Sequence, residues 1–325
     1  MLLLRRLFAL GLGAAVGAYL VHRRQRDLAA EPRTIRGPDG RSIEPRFVEL
    51  EGGECVPVVD VGSGPAVVLV PGLTGDHQVF RYQIPAFTER YRVIAPNLRA
   101  DFEGVDANFD QFAADLGTVL DELGVSSATL LGLSFGGPIC LRFARLHPDR
   151  VEALILTNTL ARLDLSHVGL NRTLLIPLAR WSTRHLPVRM MRRLAELWGD
   201  WRVWVYDPSP GNDRIIEYEL TAPVRIPTSV GTLRMATFKD RDLRGGLPEI
   251  TAPALVIAGA TDTYTPNDWQ REIADLLPAA TYAEVPNGGH LSLISQAETF
   301  NRMVLEWLEE VRSSADRRRS TTETA

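Results

Sequence analysis

Residues Gly132-Leu133-Ser134-Phe135-Gly136 spell G-x-S-x-G, after an apolar run, Ala128–Leu131, and before a helical pattern carrying Pro138, Ile139, Leu141, Phe143 and Ala144. A serine on so sharp a strand-to-helix turn has its hydroxyl lifted clear of the sheet, and the N–H of the next residue points at the same space. The turn closes only if Gly132 and Gly136 lack side chains, and Gly137 lets the helix pack on the sheet. Ser134 is therefore a candidate nucleophile, and Phe135 a candidate backbone donor to a developing oxyanion. That chemistry also needs a base and an acid.

Six histidines are present: His22, His77, His147, His167, His185 and His290. Only His290 sits in a glycine-marked loop, Pro286-Asn287-Gly288-Gly289-His290, straight after a strand-like run, Ala280–Val285. An amphipathic pattern follows it, with Phe300, Met303, Val304, Trp307 and Leu308. A general base reaching the serine from the strand tops belongs in such a loop. His147 reads as a helix cap, and His77 as a solvated loop residue with substrate contact as the alternative. The acid candidate is Asp262, after the β-branched, uncharged run Ala254–Ala258 and before the stop at Pro266. Asp164, after the run Ala153–Thr157, is its rival. The order Ser134, Asp262, His290 resembles that of the α/β-hydrolases.

These segments together resemble the α/β-hydrolases from about Phe47 to Val311. Ala66-Val67-Val68-Leu69-Val70-Pro71-Gly72-Leu73-Thr74-Gly75 is similar to the family's third strand and oxyanion loop. Tyr91–Arg99 is similar to its fourth strand and exit. The resemblance implies an α/β fold: a mostly parallel central sheet flanked by helices, with an inserted helical cap. It also implies Leu73 N–H as a second oxyanion donor beside Phe135 N–H. Two departures stand out: Pro71-Gly72 replaces the His-Gly of many relatives, and Ala100-Asp101-Phe102 follows Arg99 in place of Gly-His-Gly. A serine at 134 argues against the branches whose nucleophile is a carboxylate.

Composition narrows the alternatives. With 325 residues, 45% apolar and 23% charged, the chain can bury one large core, and a net charge of −4 offers no field for nucleic acid. Cys55 and Cys140 read as a strand residue and a buried helix residue without a disulfide. No metal-ligand motif is present, so neither metal nor cofactor is expected. The single lysine, Lys239, lies in a polar stretch, which counts against Schiff-base chemistry.

The organisation expected is a hydrophobic anchor with a basic flank at 1–26, a linker at 27–44, a catalytic domain at 45–312 and a disordered tail at 313–325. Leu7–Val21 is uncharged between Arg5-Arg6 and His22-Arg23-Arg24. As a helix it spans about 22 Å of a hydrocarbon core about 30 Å thick. The expectation is membrane association through this single N-terminal segment, with a secreted or cytoplasmic protein as the alternative. The long segment at about 161–246 reads as the cap. Its Trp198, Trp201 and Trp204 are candidate pocket residues, with packing of the cap on itself as the alternative.

The function expected is cleavage of carboxylic esters, apolar or lipid-like, through a Ser-His-Asp triad and an acyl-enzyme. Enol-lactone hydrolysis is one alternative. A ligand-binding or signalling homologue with little turnover is an alternative of another class.

Overall fold

The computed structural model describes residues 35–37, 39–163, 214–215, 218, 228–238 and 242–323. Within them β1 (Arg46–Glu49), β2 (Cys55–Val61), β3 (Ala66–Val70), β4 (Arg92–Pro96), β5 (Ala128–Leu133), β6 (Val151–Thr157), β7 (Ala254–Gly259) and β8 (Ala280–Val285) form one sheet. Its order is β1-β2-β4-β3-β5-β6-β7-β8. β1 and β2, and β2 and β4, pair antiparallel; all remaining neighbours are parallel. β3, β5 and β7 are buried along their whole length, which is why they read as unbroken apolar runs.

Side chains alternate between two cores, as the two-residue repeat of a strand requires. Val68, Val70 and Leu130 enter one cluster, while Val67, Leu69, Leu131 and Leu133 enter the other. Helices α2 (Phe109–Glu122), α3 (Gly136–Leu146) and α5 (Asn267–Leu276) supply the first face. Helices α1 (Gln83–Thr88), α6 (Ser292–Ser295) and α7 (Ala297–Glu323) supply the second. Helix α4 (Thr228–Ala236) lies between β6 and β7 in the chain. β3 sits between β4 and β5, so the chain leaves it to one side and returns on the other. Such a reversal opens a crevice beyond the C-terminal strand ends, where the loop after β3 meets the turn after β5.

Three expectations need correction. Membrane localisation is withdrawn: no helix among the described residues is long and apolar enough to cross a membrane. Residues 1–26, to which the anchor was assigned, lie outside the described residues. The tail expected to be disordered from 313 is helical, since α7 runs on to Glu323; Glu and Arg are good helix formers, and polarity alone does not forbid an exposed helix. The end of the expected linker is folded: Ile35 is buried and Arg36 bridges to Ser42, because this polar stretch carries an apolar residue the core accepts.

Candidate active site

β5 ends at Leu133 and α3 begins at Gly136, so Ser134 and Phe135 alone make the turn. Ser134 has φ +50°, a left-handed backbone that costs a residue with a side chain about 1–2 kcal/mol. The turn is held from two sides. Ser134 N–H donates to Thr157 O (3.0 Å), and Thr159 Oγ donates to Ser134 O (2.6 Å). A Cβ on Gly136 would lie 2.3 Å from Val70 O, and one on Gly137 2.0 Å from Thr159 Oγ. Helix, elbow and neighbouring strands therefore approach too closely for any side chain at those two positions.

His290 follows the turn after β8 and faces the serine, with Nε2 3.1 Å from Ser134 Oγ. Its Nδ1 lies 3.0 Å from Asp262 Oδ2, which comes from the turn after β7. All three residues are less than 9% exposed. The acid and base loops are locked together, with Thr261 N–H and Oγ both donating to Gly288 O (2.8 and 2.9 Å). The Tyr264 ring stands edge-on to the His290 ring, with 4.7 Å between centroids.

Asp262 accepts from more than the imidazole. Oδ1 takes the Tyr264 and Thr265 N–H groups (2.7 and 3.0 Å), and Oδ2 takes Thr265 Oγ and Asn158 Nδ2 (2.5 and 2.9 Å). Burial on its own pushes this carboxyl up; the facing imidazole and the bonds from His290, Thr265 and Asn158 outweigh it. The net result is a carboxyl below the usual carboxylate range, ionised at neutral pH.

Asn158 was not among the expected site residues. It ends β6 at φ +48°, is wholly buried, and also donates to Gly289 O (3.1 Å) while accepting from Thr157 Oγ and Ser292 Oγ (both 2.9 Å). A polar residue tolerant of left-handed backbone, directly after an apolar strand, is the sequence signal that could have found it. The rival acid Asp164 lies outside the described residues, as do Trp198, Trp201 and Trp204.

The loop 71–75 runs beside the elbow. A Cβ on Gly72 would sit 3.4 Å from Ser134 Cβ, and Leu73 is half-buried against the core. Phe135 is buried among the rings of Phe109, Phe112 and Phe238, which fixes the residue whose N–H begins α3. His77 is not a solvated loop residue. Its N–H and Nδ1 both meet Asn97 Oδ1 (2.8 and 2.6 Å), and burial pushes its imidazole below the ordinary value. Beneath the exit of β4, Arg99 and Asp115 form a buried two-pronged ion pair, both contacts 2.7 Å. A cleft of about 650 Å³ lined by Glu51, Asp106, Asp110 and Gln111 includes none of Ser134, Asp262 or His290.

This constellation occupies the C-terminal strand ends of a mostly parallel sheet, and residues 65–297 match the family described as alpha/beta hydrolase fold. The chain belongs to that family. Among its relatives is the polyketide synthase ThaQ of Burkholderia thailandensis, 30% identical over 285 residues; the match takes in 85% of this chain but only 13% of that protein. The magnesium-chelatase 30 kDa subunit of Rhodobacter capsulatus is 30% identical over 78% of this chain and 90% of that one. Among solved structures, a thermophilic esterase from Thermogutta terrifontis aligns with a TM-score of 0.62 at 26% identity, covering 82% of this chain and 99% of that one. These α/β-hydrolase likenesses support an enzyme of hydrolase type.

Proposed function

We propose that this α/β-hydrolase cleaves carboxylic esters through an acyl-enzyme on Ser134. The observation that carries this reading is the unbroken line Ser134 Oγ, His290 Nε2, His290 Nδ1, Asp262 Oδ2, with contacts of 3.1 and 3.0 Å. Nucleophile, base and orienting acid are thus within reach of one another before any substrate is bound.

In this reading His290 Nε2 takes the Ser134 proton as Oγ attacks the ester carbonyl carbon. The N–H groups of Leu73 and Phe135 receive the carbonyl oxygen as it becomes an oxyanion. Collapse breaks the bond to the alcohol, which leaves with the proton from His290. Water then attacks the acyl carbon, gives a proton to His290, and the serine oxygen leaves with that proton. The ionised Asp262 holds the imidazole with Nδ1–H towards the carboxylate and stabilises the imidazolium that forms twice per cycle. The stretch between β6 and β7 is proposed as the cap, with Trp198, Trp201 and Trp204 lining a pocket for an apolar acyl group; excluding water there strengthens the oxyanion contacts. No cofactor is required.

The magnesium-chelatase subunit among the relatives bears no hydrolase name, which favours, as a second reading, a binding role with little turnover. One experiment separates the two. Initial rates are measured on p-nitrophenyl esters from acetate to palmitate, wild type beside Ser134→Ala. Turnover that vanishes with the serine, in a variant of unchanged melting temperature, is the expected result. Equal rates in both proteins, or no turnover across the series, would sink the ester reading.

A further inference from the structure

Arg234 is 1% exposed, and among the described residues no carboxylate pairs with it. Its guanidinium reaches instead into the main chain at two strand exits. Nη1 donates to Leu73 O (2.7 Å), and Nη2 to Leu98 O and Arg99 O (2.9 and 2.6 Å). Its Nε is buried with no hydrogen-bond partner among the described residues. Burial pulls the guanidinium down to about 10 against the opposing charge of Glu54, so it remains charged at neutral pH, with three carbonyl dipoles directly on it.

A buried cation with no ion pair among the described residues is costly, so its surroundings should be shaped for it, and they are. A Cβ on Gly75 would lie 2.3 to 2.7 Å from the guanidinium atoms, so that position admits only glycine while Arg234 is in place. Gly75 also has φ +68°, and it closes the turn with Gly75 N–H donating to Gly72 O (2.9 Å). Its own carbonyl accepts from Leu98 N–H (2.9 Å). Pro71 brings neither an N–H nor a polar side chain to this loop. Among the described residues the hydrogen bonds that tie 72–75 are the turn bond, the bond to Leu98 and the Arg234 clamp, and of these the clamp reaches Leu73.

We propose that Arg234 is a positioning residue that fixes Leu73 from its carbonyl side, so that the Leu73 N–H is presented to the oxyanion forming over Ser134. The proposal deepens the ester-hydrolysis reading and rests on it for its kinetic consequence. Arg234 stands on α4, between β6 and β7, whereas Leu73 follows β3. The clamp therefore makes the segment between β6 and β7 part of the oxyanion machinery as well as a cover for substrate.

The test compares wild type, Arg234→Met, Arg234→Lys and Gly75→Ala. The methionine keeps an apolar stem without donors, lysine keeps the charge and a donor, and Gly75→Ala evicts the guanidinium while leaving it in the chain. Three readouts are taken: kcat and KM on p-nitrophenyl butyrate, hydrogen exchange of the 71–76 segment, and melting temperature. Expected is a fall in kcat of about tenfold to hundredfold for Arg234→Met and Gly75→Ala, short of or equal to loss of a whole oxyanion donor, with KM little changed. Arg234→Lys should restore part of it. Exchange at 71–76 should quicken in both damaged variants while β7 and β8 stay as protected as in wild type. Wild-type exchange at 71–76 in Arg234→Met overturns the proposal whatever the rates do. So does a kcat loss with no recovery in the lysine variant. Absence of serine-dependent turnover in the wild type would instead defeat the ester reading, and the exchange measurement would still decide the clamp.

Discussion

Asn158→Ala is the perturbation that most directly tests how the acid and base are held. The side chain is fully buried and makes four hydrogen bonds, to Asp262 Oδ2, Gly289 O, Thr157 Oγ and Ser292 Oγ. Truncation orphans two neutral hydroxyls, at about 1–3 kcal/mol each, while the Gly289 carbonyl keeps the Ser292 N–H. The hydroxyls rotate and the vacated space admits a water, so the lower end applies, about 2 kcal/mol in sum. Alanine at φ +48° adds about 1 kcal/mol over asparagine. The expected loss is about 3 kcal/mol, read as a drop in melting temperature of about 6–12 °C for a domain this large. Asp262 keeps Tyr264 N–H, Thr265 N–H, Thr265 Oγ and His290, so only one charge-assisted bond leaves the acid. That bond's weight, about 1.5 kcal/mol at the low end, puts the fall in kcat near tenfold, with KM unchanged.

The isosteric Asn158→Asp separates lost packing from lost electrostatics. It places a second carboxyl 2.9 Å from Asp262 Oδ2, and two carboxylates so close cannot both ionise, so one is raised far above its usual range. The sign follows from linkage. A carboxyl raised in the folded state stabilises it below the unfolded value of about 4, and that contribution is lost as pH rises through the folded one. Stability and rate of Asn158→Asp should therefore worsen with rising pH, whereas the deficit of Asn158→Ala should be flat. Thermal melts and kcat at several pH values decide the matter. Wild-type kcat and melting temperature in Asn158→Ala, or parallel pH profiles for the two variants, would refute the reasoning.

Two further outcomes are expected. Asp115→Ala leaves the Arg99 guanidinium buried and unpaired beneath the loop after β4, which should cost about 3–5 kcal/mol in urea unfolding; a loss below about 1 kcal/mol, the range of an exposed pair, would show that water reaches Arg99. His77 has an imidazole pushed down by burial, so the unfolded chain binds the proton more tightly, and neutral His77 contributes stability that is full above about 6.5 and lost as pH falls. The neighbouring Asp76 carboxyl is pushed up by burial and acts in the opposite sense, its contribution lost as pH rises. Its ordinary range lies lower, so the His77 effect is read between neutral pH and about 6. There His77→Gln should flatten the decline of the urea midpoint, and a slope identical to wild type would contradict the assignment of that decline to His77.

What could be read from the chain alone was what sequence neighbours dictate. The run Ala280–Val285 coincides with β8, and the segment Ala66–Gly75 holds β3 at its start, because a parallel strand buried or half-buried between helices leaves an apolar, β-branched trace. Ser134, Asp262 and His290 were legible as candidates because each sits in a turn directly after such a run. The supports of the site were not, since they depend on partners remote in sequence. Asn158 and Asp262 are 104 residues apart, and Arg234 and Leu73 161. His77 has the sequence context of a solvated loop residue, and only the return of β4 brings Asn97 Oδ1 onto its Nδ1. Arg234 offered no signal at all, because an arginine in a polar-looking helix belongs by default to the surface.

The two halves of the site are held by different physics, and that bears on how the enzyme can vary. The acid and base are fixed by groups at the ends of adjoining strands: Asn158 after β6, Thr265 after β7, and the turn after β8, where Asn287 has φ +57°. Left-handed backbone at Ser134, at about 1–2 kcal/mol, and at Asn158, where asparagine tolerates it better, persists because neighbouring strands determine where those residues must go. A half built in this way is organised before substrate arrives and resists change without loss of the fold. The proposed oxyanion loop is different, since Arg234, which bonds the Leu73 carbonyl, comes from the segment between β6 and β7. On the proposed reading, substitutions in that segment alter kcat through Leu73 and leave Asp262 and His290 in place, whereas substitutions around Asn158 act on the hold of Asp262 itself.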